Sequence, residues 1–310
     1  MSENRLAVVG VVLVGLLGCA GAGRRATGAA WEPESASPGP MSLEQAARLA
    51  LGLVNHDRAE HGLGAVEWDE TAARAAQRHA EDMAAHGFTS HWGTDGSVPE
   101  ERYTEAGGTH MVQENSACFF DGVARELDRG PGYLAAELEK IESAFVTEVP
   151  PHDGHRQNIL KPVHNRLGVG LARPKGLDRP CMVQEFVDQY GEYDPLPAEA
   201  RLGQPIRVAG EVRSPVTFGG VGLARLDLAT PKDPQALNRT STYRISDPYE
   251  LYFPRGLRTP KPVELVEGRF SIDLVLSDRG RPGRYEVSVW GRYPGSDALE
   301  MVSLRTVLVR

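Results

Sequence analysis

The 310-residue chain has an ordinary globular composition, with 41% hydrophobic and 25% charged residues, and its length suffices for two modest domains. Its formal net charge of -8 and its lack of any Lys/Arg-rich stretch argue against nucleic acid as a partner. We therefore expect a globular protein whose ligands are not nucleic acids.

The N-terminus has the pattern of an export signal. One basic residue, Arg5, precedes an apolar run that ends at Leu17 and is too short to span a bilayer comfortably. Residues 1–19 end in Leu-Leu-Gly-Cys, which resembles the bacterial lipoprotein box, in which the cysteine is lipidated. We expect a lipid on Cys19; an ordinary secretory signal cut shortly after it is the alternative.

A lipid on Cys19 predicts an exported protein that is anchored in a membrane of the cell envelope. The residue after it, Ala20, is not the aspartate that commonly signals retention in the inner membrane, which favours the outer membrane or cell surface. Residues 20–41 are rich in Ala, Gly, Ser and Pro and predict a flexible tether.

Two amphipathic helices open the first predicted domain, residues 42–190. Ser42 is the expected N-cap of the first helix, in which apolar residues recur at three- and four-residue steps. The second helix is expected between the N-cap Asp69 and the stop signal Gly87. His79 lies on the apolar stripe of the second helix, which favours a satisfied core histidine over a ligand.

The remainder of this domain mixes element types. A polar loop, SHWGTDGSVPEERYTEAGG, precedes a helix around YLAAELEKIESAFV and two alternating strands, RLGVGLAR and CMVQEFVDQY. This order predicts an α+β domain in which helices cover a small sheet. His110 and His164 belong to no motif and are expected at the surface.

The C-terminal third shows a different pattern. Residues 191–204 are rich in Pro, Gly and charge and predict a linker. Residues 205–310 contain short runs with period-two alternation, which predict an all-β immunoglobulin-like sandwich, with a small open barrel as the alternative.

Two cysteines remain if Cys19 carries lipid. Cys118 and Cys181 permit one pairing in an exported protein, and the long loop it closes would stabilise the fold by roughly 3–5 kcal/mol. Two buried thiols are the alternative, and both stay open because the Cα separation decides between them.

The first domain holds a set of histidines and glutamates in loops and at element ends, where functional side chains are often placed. The common nucleophile, metalloprotease and nucleotide-binding motifs are missing from the sequence. The polar candidates lie in the stretches SHWG, QENSA and EVPPHDGHRQNIL.

These stretches carry a family resemblance. VNHDRAEHGLGAVEWDETAARAAQRHAEDMAAHGFTSHWGTDGS, QENSA, GHRQNIL, LGVGLA and VQEF, in this order, resemble the CAP superfamily of cysteine-rich secretory, antigen 5 and pathogenesis-related proteins, in its bacterial SCP-like branch. The resemblance covers about residues 42–190 and implies an α-β-α sandwich. It also implies a central cavity lined by two histidines and two acidic residues.

The resemblance places this tetrad at His91, Glu114, Glu148 and His155. The family's asparagine after the first glutamate falls on Asn115, and Asn158 is expected to tie the loop. Two departures stand out: Gln113 occupies a usual glycine position, and Phe145 replaces the commoner tryptophan ahead of Glu148.

Two imidazoles and two carboxylates suit Zn²⁺ or another divalent metal, with His91 and His155 as the metal ligands. Glu114 and Glu148 are expected either to ligate the metal or to orient the imidazoles. A hydrogen-bonded structural cluster without chemistry is the alternative, and the exposed turn around His152 is not expected to take part.

The predicted function is a binding module at the cell envelope that holds a lipid-like or peptide ligand, a ligand class implied by the resemblance alone. A metal-dependent hydrolase of peptide or envelope polymer, and a structural adhesion protein without a chemical site, are the alternatives. The missing nucleophile motifs favour binding over hydrolysis.

Overall fold

The computed structural model describes residues 39–240 and 243–310, all of which belong to one compact unit. The predicted signal, Cys19 and residues 20–38 of the predicted tether lie outside the described residues. Within the described ranges, no helix combines the length and apolar character that a membrane crossing requires.

The N-terminal part alternates helices and strands. In chain order these elements are α1 (Leu43–Glu60), β1 (Glu67–Trp68), α2 (Glu70–His86), α3 (Pro99–Glu105), β2 (Met111–Ala117), β3 (Leu127–Asp128), α4 (Ala135–Val146), α5 (Gly154–Ile159), β4 (Arg166–Pro174) and β5 (Cys181–Asp188).

Local signals set the ends of the first two long helices as predicted. The Ser42 hydroxyl accepts a hydrogen bond from the Gln45 amide, and the Asp69 carboxylate accepts one from the Ala72 amide. Gly87 ends α2 in the left-handed conformation, with φ of 68°, which a glycine adopts without strain.

Helices cover both faces of the N-terminal sheet, whose strand order is β1-β4-β5-β2 with β3 paired to β4. Leu167, Val169 and Leu171 of β4 pack on one face against α1 and α4. Gly168 and Gly170 point to the opposite face, where a Cβ atom would lie 2.1–2.2 Å from the backbone of α2. These two glycines therefore set how closely α2 approaches the sheet.

Three local predictions need correction. The expected polar loop contains α3, which begins at a proline and whose N-cap position, Val98, provides no side-chain cap. His110 and His164, expected at the surface, are 9% and 2% exposed. The reason is tertiary: the His164 Nδ1 lies 2.6 Å from Asp188 Oδ1, and the His110 ring packs edge-on against Tyr193.

The C-terminal part is built from strands. In chain order it contains β6 (Gly191–Tyr193), β7 (Glu199–Ala200), β8 (Pro205–Val212), β9 (Thr217–Leu226), the short helix α6 (Pro234–Leu237), β10 (Glu250–Tyr252), β11 (Glu264–Val266), β12 (Arg269–Val275), β13 (Gly283–Arg292) and β14 (Glu300–Val309).

These strands form two sheets that share one apolar core. One sheet has the order β10-β9-β13-β14-β7 and the other β11-β12-β8-β6. Side chains of both contribute to the same buried cluster, among them Val208, Phe270, Tyr285 and Val287. Residues 191–204, predicted as a linker, supply β6 and β7, which pair with β8 and β14.

The C-terminal sheets contact the N-terminal part through hydrogen bonds and an ion pair. The Ser303 hydroxyl donates to the Thr109 carbonyl at 2.5 Å, and the Arg284 guanidinium pairs with the Glu101 carboxylate on α3. Ser303 is fully buried, and the Glu101 side chain is largely buried. The two parts of the chain therefore meet beside the helix that borders the candidate site.

Candidate functional site

All four predicted tetrad residues line one cavity of about 650 Å³. The cavity lies beside β2, the edge strand of the N-terminal sheet. Its lining is formed by His91, Pro99, Glu100, Val112, Gln113, Glu114, Asn115, Glu148, Pro151, His152, Gly154, His155, Gln157, Asn158, Tyr243, Arg244 and Ile245. The structure thus brings the four side chains together, as two separate histidine–glutamate pairs.

The first pair joins His91 to Glu114. Glu114 lies on β2 with only 1% of its side chain exposed, and its Oε1 lies 2.8 Å from His91 Nδ1. Its other oxygen accepts a hydrogen bond of 2.6 Å from Arg102, which is equally buried on α3. Burial alone would raise the pKa of Glu114, but the Arg102 guanidinium holds that pKa well below its usual range.

The second pair joins His155 to Glu148 on a more open wall. His155 Nδ1 lies 2.6 Å from Glu148 Oε1, and the His155 backbone amide donates to Oε2 at 3.0 Å. The Phe145 ring packs against the imidazole with 4.3 Å between ring centroids. Glu148 is 23% exposed, so water reaches this carboxylate but hardly reaches Glu114.

Each carboxylate fixes the orientation of its imidazole. A neutral ring that donates from Nδ1 to a carboxylate has an acceptor at Nε2. His91 and His155 are 28% and 31% exposed, so both rings are accessible from the cavity. The arrangement presents two oriented imidazoles to whatever occupies it.

The two predicted supporting asparagines connect the halves of the site. The Asn115 side chain donates to the His155 carbonyl at 3.1 Å, and the Asn158 side chain donates to Asn115 Oδ1 at 2.9 Å. Asn158 also donates to the Glu114 carbonyl at 3.3 Å. The backbone around His155 is therefore bonded to β2, the strand that carries Glu114, the partner of His91.

The four side chains of the tetrad form two pairs and not one set of metal ligands. Across residues 39–240 and 243–310, no three His, Cys, Asp or Glu side chains come close enough together to form a metal site. Both carboxylates already accept hydrogen bonds from Nδ1 atoms, which is the usual arrangement for glutamates that orient histidine ligands.

Sequence reasoning missed the buried groups behind the first pair. Arg102 falls in the segment that was expected to be a loop, and Glu185 faces Glu114 across the β2–β5 pairing. Burial and the neighbouring Glu114 raise the pKa of Glu185 well above its usual value, which favours its protonated form. Burial likewise lowers the pKa of His79 to about 4, which makes this core histidine neutral.

The two candidate cysteines form a disulfide in the structure, with 4.3 Å between their Cα atoms. Cys118 directly follows β2, and Cys181 is the first residue of β5, so the bond extends the pairing of these strands. His152 is exposed at the rim of the cavity, in the predicted turn.

Known proteins share features with the N-terminal part. The uncharacterized membrane protein YlbC of Bacillus subtilis (strain 168) is 26% identical over 140 residues, which cover 45% of this chain and 34% of that protein. The chain thus spans about a third of the length of this curated relative.

Two solved structures are also similar. An extracellular protein with an SCP domain from Bacillus anthracis shares 22% identity, with a TM-score of 0.35 over 47% of this chain and 41% of that one. An outer surface protein from Borrelia burgdorferi shares 13% identity, with a TM-score of 0.34 over 49% of this chain and 98% of that one. Residues 51–186 match the model of the cysteine-rich secretory protein family, CAP, so this part of the chain is a CAP domain.

Proposed function

We propose that the protein is an exported binding protein of the cell envelope, whose CAP cavity holds a divalent metal at His91 and His155 together with a polar ligand. One observation carries the proposal: both imidazoles line the same cavity, and each is oriented through Nδ1 by its own glutamate. Zn²⁺ suits such a site, with its remaining positions filled by water or ligand atoms.

The cavity lining favours a peptide over a lipid-like ligand. Amide side chains of Gln113, Asn115, Gln157 and Asn158 line the cavity beside the tetrad. The Asn115 and Asn158 amides are held by the internal hydrogen bonds described above, but Gln113 keeps its amide nitrogen as a donor and Gln157 its amide oxygen as an acceptor. These groups match the polar groups of a peptide, whereas an acyl chain would leave them without hydrogen-bond partners. A volume of about 650 Å³ lies in the usual range for small-molecule and short peptide sites.

Binding is better supported than hydrolysis. A hydrolase needs a carboxylate or imidazole that is available as a general base. Glu114 is held by Arg102 and His91, and Glu148 holds His155 through two hydrogen bonds. Both carboxylates are therefore already engaged in positioning the histidines.

The envelope location rests on the N-terminal pattern, with lipidation at Cys19 and an anchor in the outer membrane or cell surface. The Bacillus subtilis relative is named a membrane protein, which agrees with an exported or envelope location. We also infer that the two C-terminal sheets form an immunoglobulin-like sandwich, supported by their shared core.

Zinc titration of the purified protein by calorimetry tests the metal assignment. The wild type should bind one ion per chain, and His91→Ala and His155→Ala should each weaken binding by at least about tenfold. His152→Ala is the matched control, since this histidine lies at the rim outside both pairs. Equal zinc binding by all four proteins would refute the metal site.

A fluorescent fatty acid tests the ligand class. We expect no saturable binding that depends on the cavity, because an acyl chain would displace water from the cavity amides without replacing its hydrogen bonds. Saturable binding that Gln157→Phe abolishes, by filling the cavity with a bulky ring, would contradict the preference for a peptide.

A further inference from the structure

The C-terminal part of the chain contributes directly to the CAP cavity. The connection between β9 and β10, described at residues 227–240 and 243–249, is called the excursion below. Some of its residues contact the N-terminal part. Tyr243, Arg244 and Ile245 belong to the excursion and line the cavity together with the tetrad. One wall of the cavity therefore comes from outside the CAP domain.

The excursion is anchored in the core beneath the His91 loop. Leu237, at the end of α6, is 1% exposed and packs in a buried cluster with Met83 and Phe88. Burying a leucine side chain of this kind contributes about 1.5–3 kcal/mol. The segment is thus docked by apolar burial as well as by polar contacts.

Hydrogen bonds attach the excursion to the residues that lead into His91. The Asn238 side chain accepts from the Thr89 amide at 3.0 Å and donates to the Gly87 carbonyl at 3.1 Å. The hydroxyls of Thr240 and Ser90 lie 2.8 Å apart. The backbone immediately before His91 is therefore held by side chains about 150 residues later in the sequence.

Tyr243 completes this contact at the histidine itself. Its ring centroid lies 5.9 Å from that of His91 and 5.1 Å, edge-on, from that of Trp92. Its hydroxyl donates to the Glu100 carboxylate on α3, which is 1% exposed. Because the Tyr243 ring packs against Trp92 and its hydroxyl is bonded to Glu100, the ring is held next to His91.

We propose that residues 237–240 and 243–245 form the outer wall of the CAP cavity, and that Tyr243 is the residue that positions His91 and limits which ligands reach it. The cavity is thus a composite of the two parts of the chain. His155 provides an internal comparison, because its ring packs against Phe145 of the CAP domain and not against the excursion.

The inference deepens the proposed function by naming what selects the ligand, but its test does not depend on a metal. Diethyl pyrocarbonate acylates accessible neutral imidazole nitrogens, and mass spectrometry of the full chain reports the rate at each histidine. Since 28% of the His91 side chain is exposed, uncovering it should raise its rate by about two- to threefold.

Tyr243→Ala should therefore accelerate labelling of His91 by this factor and leave His155 unchanged. Tyr243→Phe keeps the ring and should restore the wild-type rate at His91, which separates covering by the ring from the hydrogen bond to Glu100. Tyr249→Ala is the matched control, since Tyr249 belongs to the same excursion but does not line the cavity.

Asn238→Ala gives a second, milder test if Tyr243→Ala does not fold, because it removes only the two hydrogen bonds to Gly87 and Thr89. It should also accelerate labelling at His91 selectively. An unchanged rate at His91 in folded Tyr243→Ala or Asn238→Ala, or an equal rise at His91 and His155, overturns the inference. Failure of zinc to bind the wild type would refute the metal site and leave this result standing.

Discussion

Replacing Glu114 by Gln should destabilise the protein much more than the same change at Glu148, although each glutamate holds one histidine of the tetrad. Glu114 and Arg102 are both 1% exposed and lie 2.6 Å apart. Removing one partner of a buried ion pair leaves the other charge without compensation, which costs about 3–5 kcal/mol.

Glu148 is expected to tolerate the change better. It is 23% exposed and makes its hydrogen bonds to His155 alone. A glutamine retains one acceptor oxygen, and water solvates what remains, so the loss is that of about one hydrogen bond, roughly 1 kcal/mol. The two variants should therefore differ by about 2–4 kcal/mol in free energy of unfolding.

Urea denaturation at pH 7, followed by far-UV circular dichroism, measures this difference. The double variant Arg102→Met/Glu114→Gln should cost no more than either single variant, because neither buried charge is left unpaired. Two results would refute a strongly coupled Arg102–Glu114 pair. One is that Glu114→Gln and Glu148→Gln lower the free energy of unfolding by amounts within 1 kcal/mol of each other. The other is that the double variant loses the sum of the two single losses, since residues in contact usually couple by about 0.5–3 kcal/mol.

Three further predictions concern the scaffold. Burial lowers the pKa of His110 to about 4, below the usual 6.5 of the unfolded chain, so its contribution to stability is complete above pH 6.5 and is lost as pH falls towards 4. His110→Gln should therefore reduce the slope of the urea midpoint plotted against pH across this range, and an unchanged slope would contradict this expectation. Replacing both Cys118 and Cys181 by Ala should cost about 4 kcal/mol for their separation of 63 residues, measured by the same denaturation; a loss below 1 kcal/mol would contradict the chain-entropy account. Gly170→Ala should lower the free energy of unfolding by about 1–3 kcal/mol or more, since its Cβ would lie 2.2 Å from the Ala76 backbone, whereas Gly64→Ala, which meets nothing within 4 Å, should have almost no effect.

The sequence predicted those elements whose causes are local. Ser42 and Asp69 act as caps through bonds to amides three residues away, so α1 and α2 are recognisable without any tertiary information. The strand β2 is harder to recognise because its centre, Gln-Glu-Asn-Ser, is polar. Its polar side chains are satisfied by groups from elsewhere in the chain, such as Arg102, which donates to Glu114, and Asn158, which donates to Asn115.

The candidate site shows the same limit. The family resemblance supplied the four cavity residues, because their motifs are short and ordered along the chain. It did not supply Tyr243, whose contact with His91 joins residues about 150 positions apart. Nor did it indicate that His164 is buried, since that depends on the pairing with Asp188. Periodicity and motifs carry no information about contacts of this kind.

The buried groups behind Glu114 explain how an ion pair is tolerated next to the cavity. Arg102, Glu114, Glu185 and His79 lie close together, and burial raises the pKa of Glu185 well above its usual value and lowers the pKa of His79 to about 4. Both shifts favour the uncharged form of the group, which leaves Arg102 and Glu114 as the charged pair in direct contact. A second ionised carboxylate would add an uncompensated buried charge, which proteins avoid by shifting a pKa. Arg102 therefore has two effects: it keeps Glu114 ionised as the partner of His91, and its bond to the His91 carbonyl at 3.1 Å fixes the backbone of that histidine.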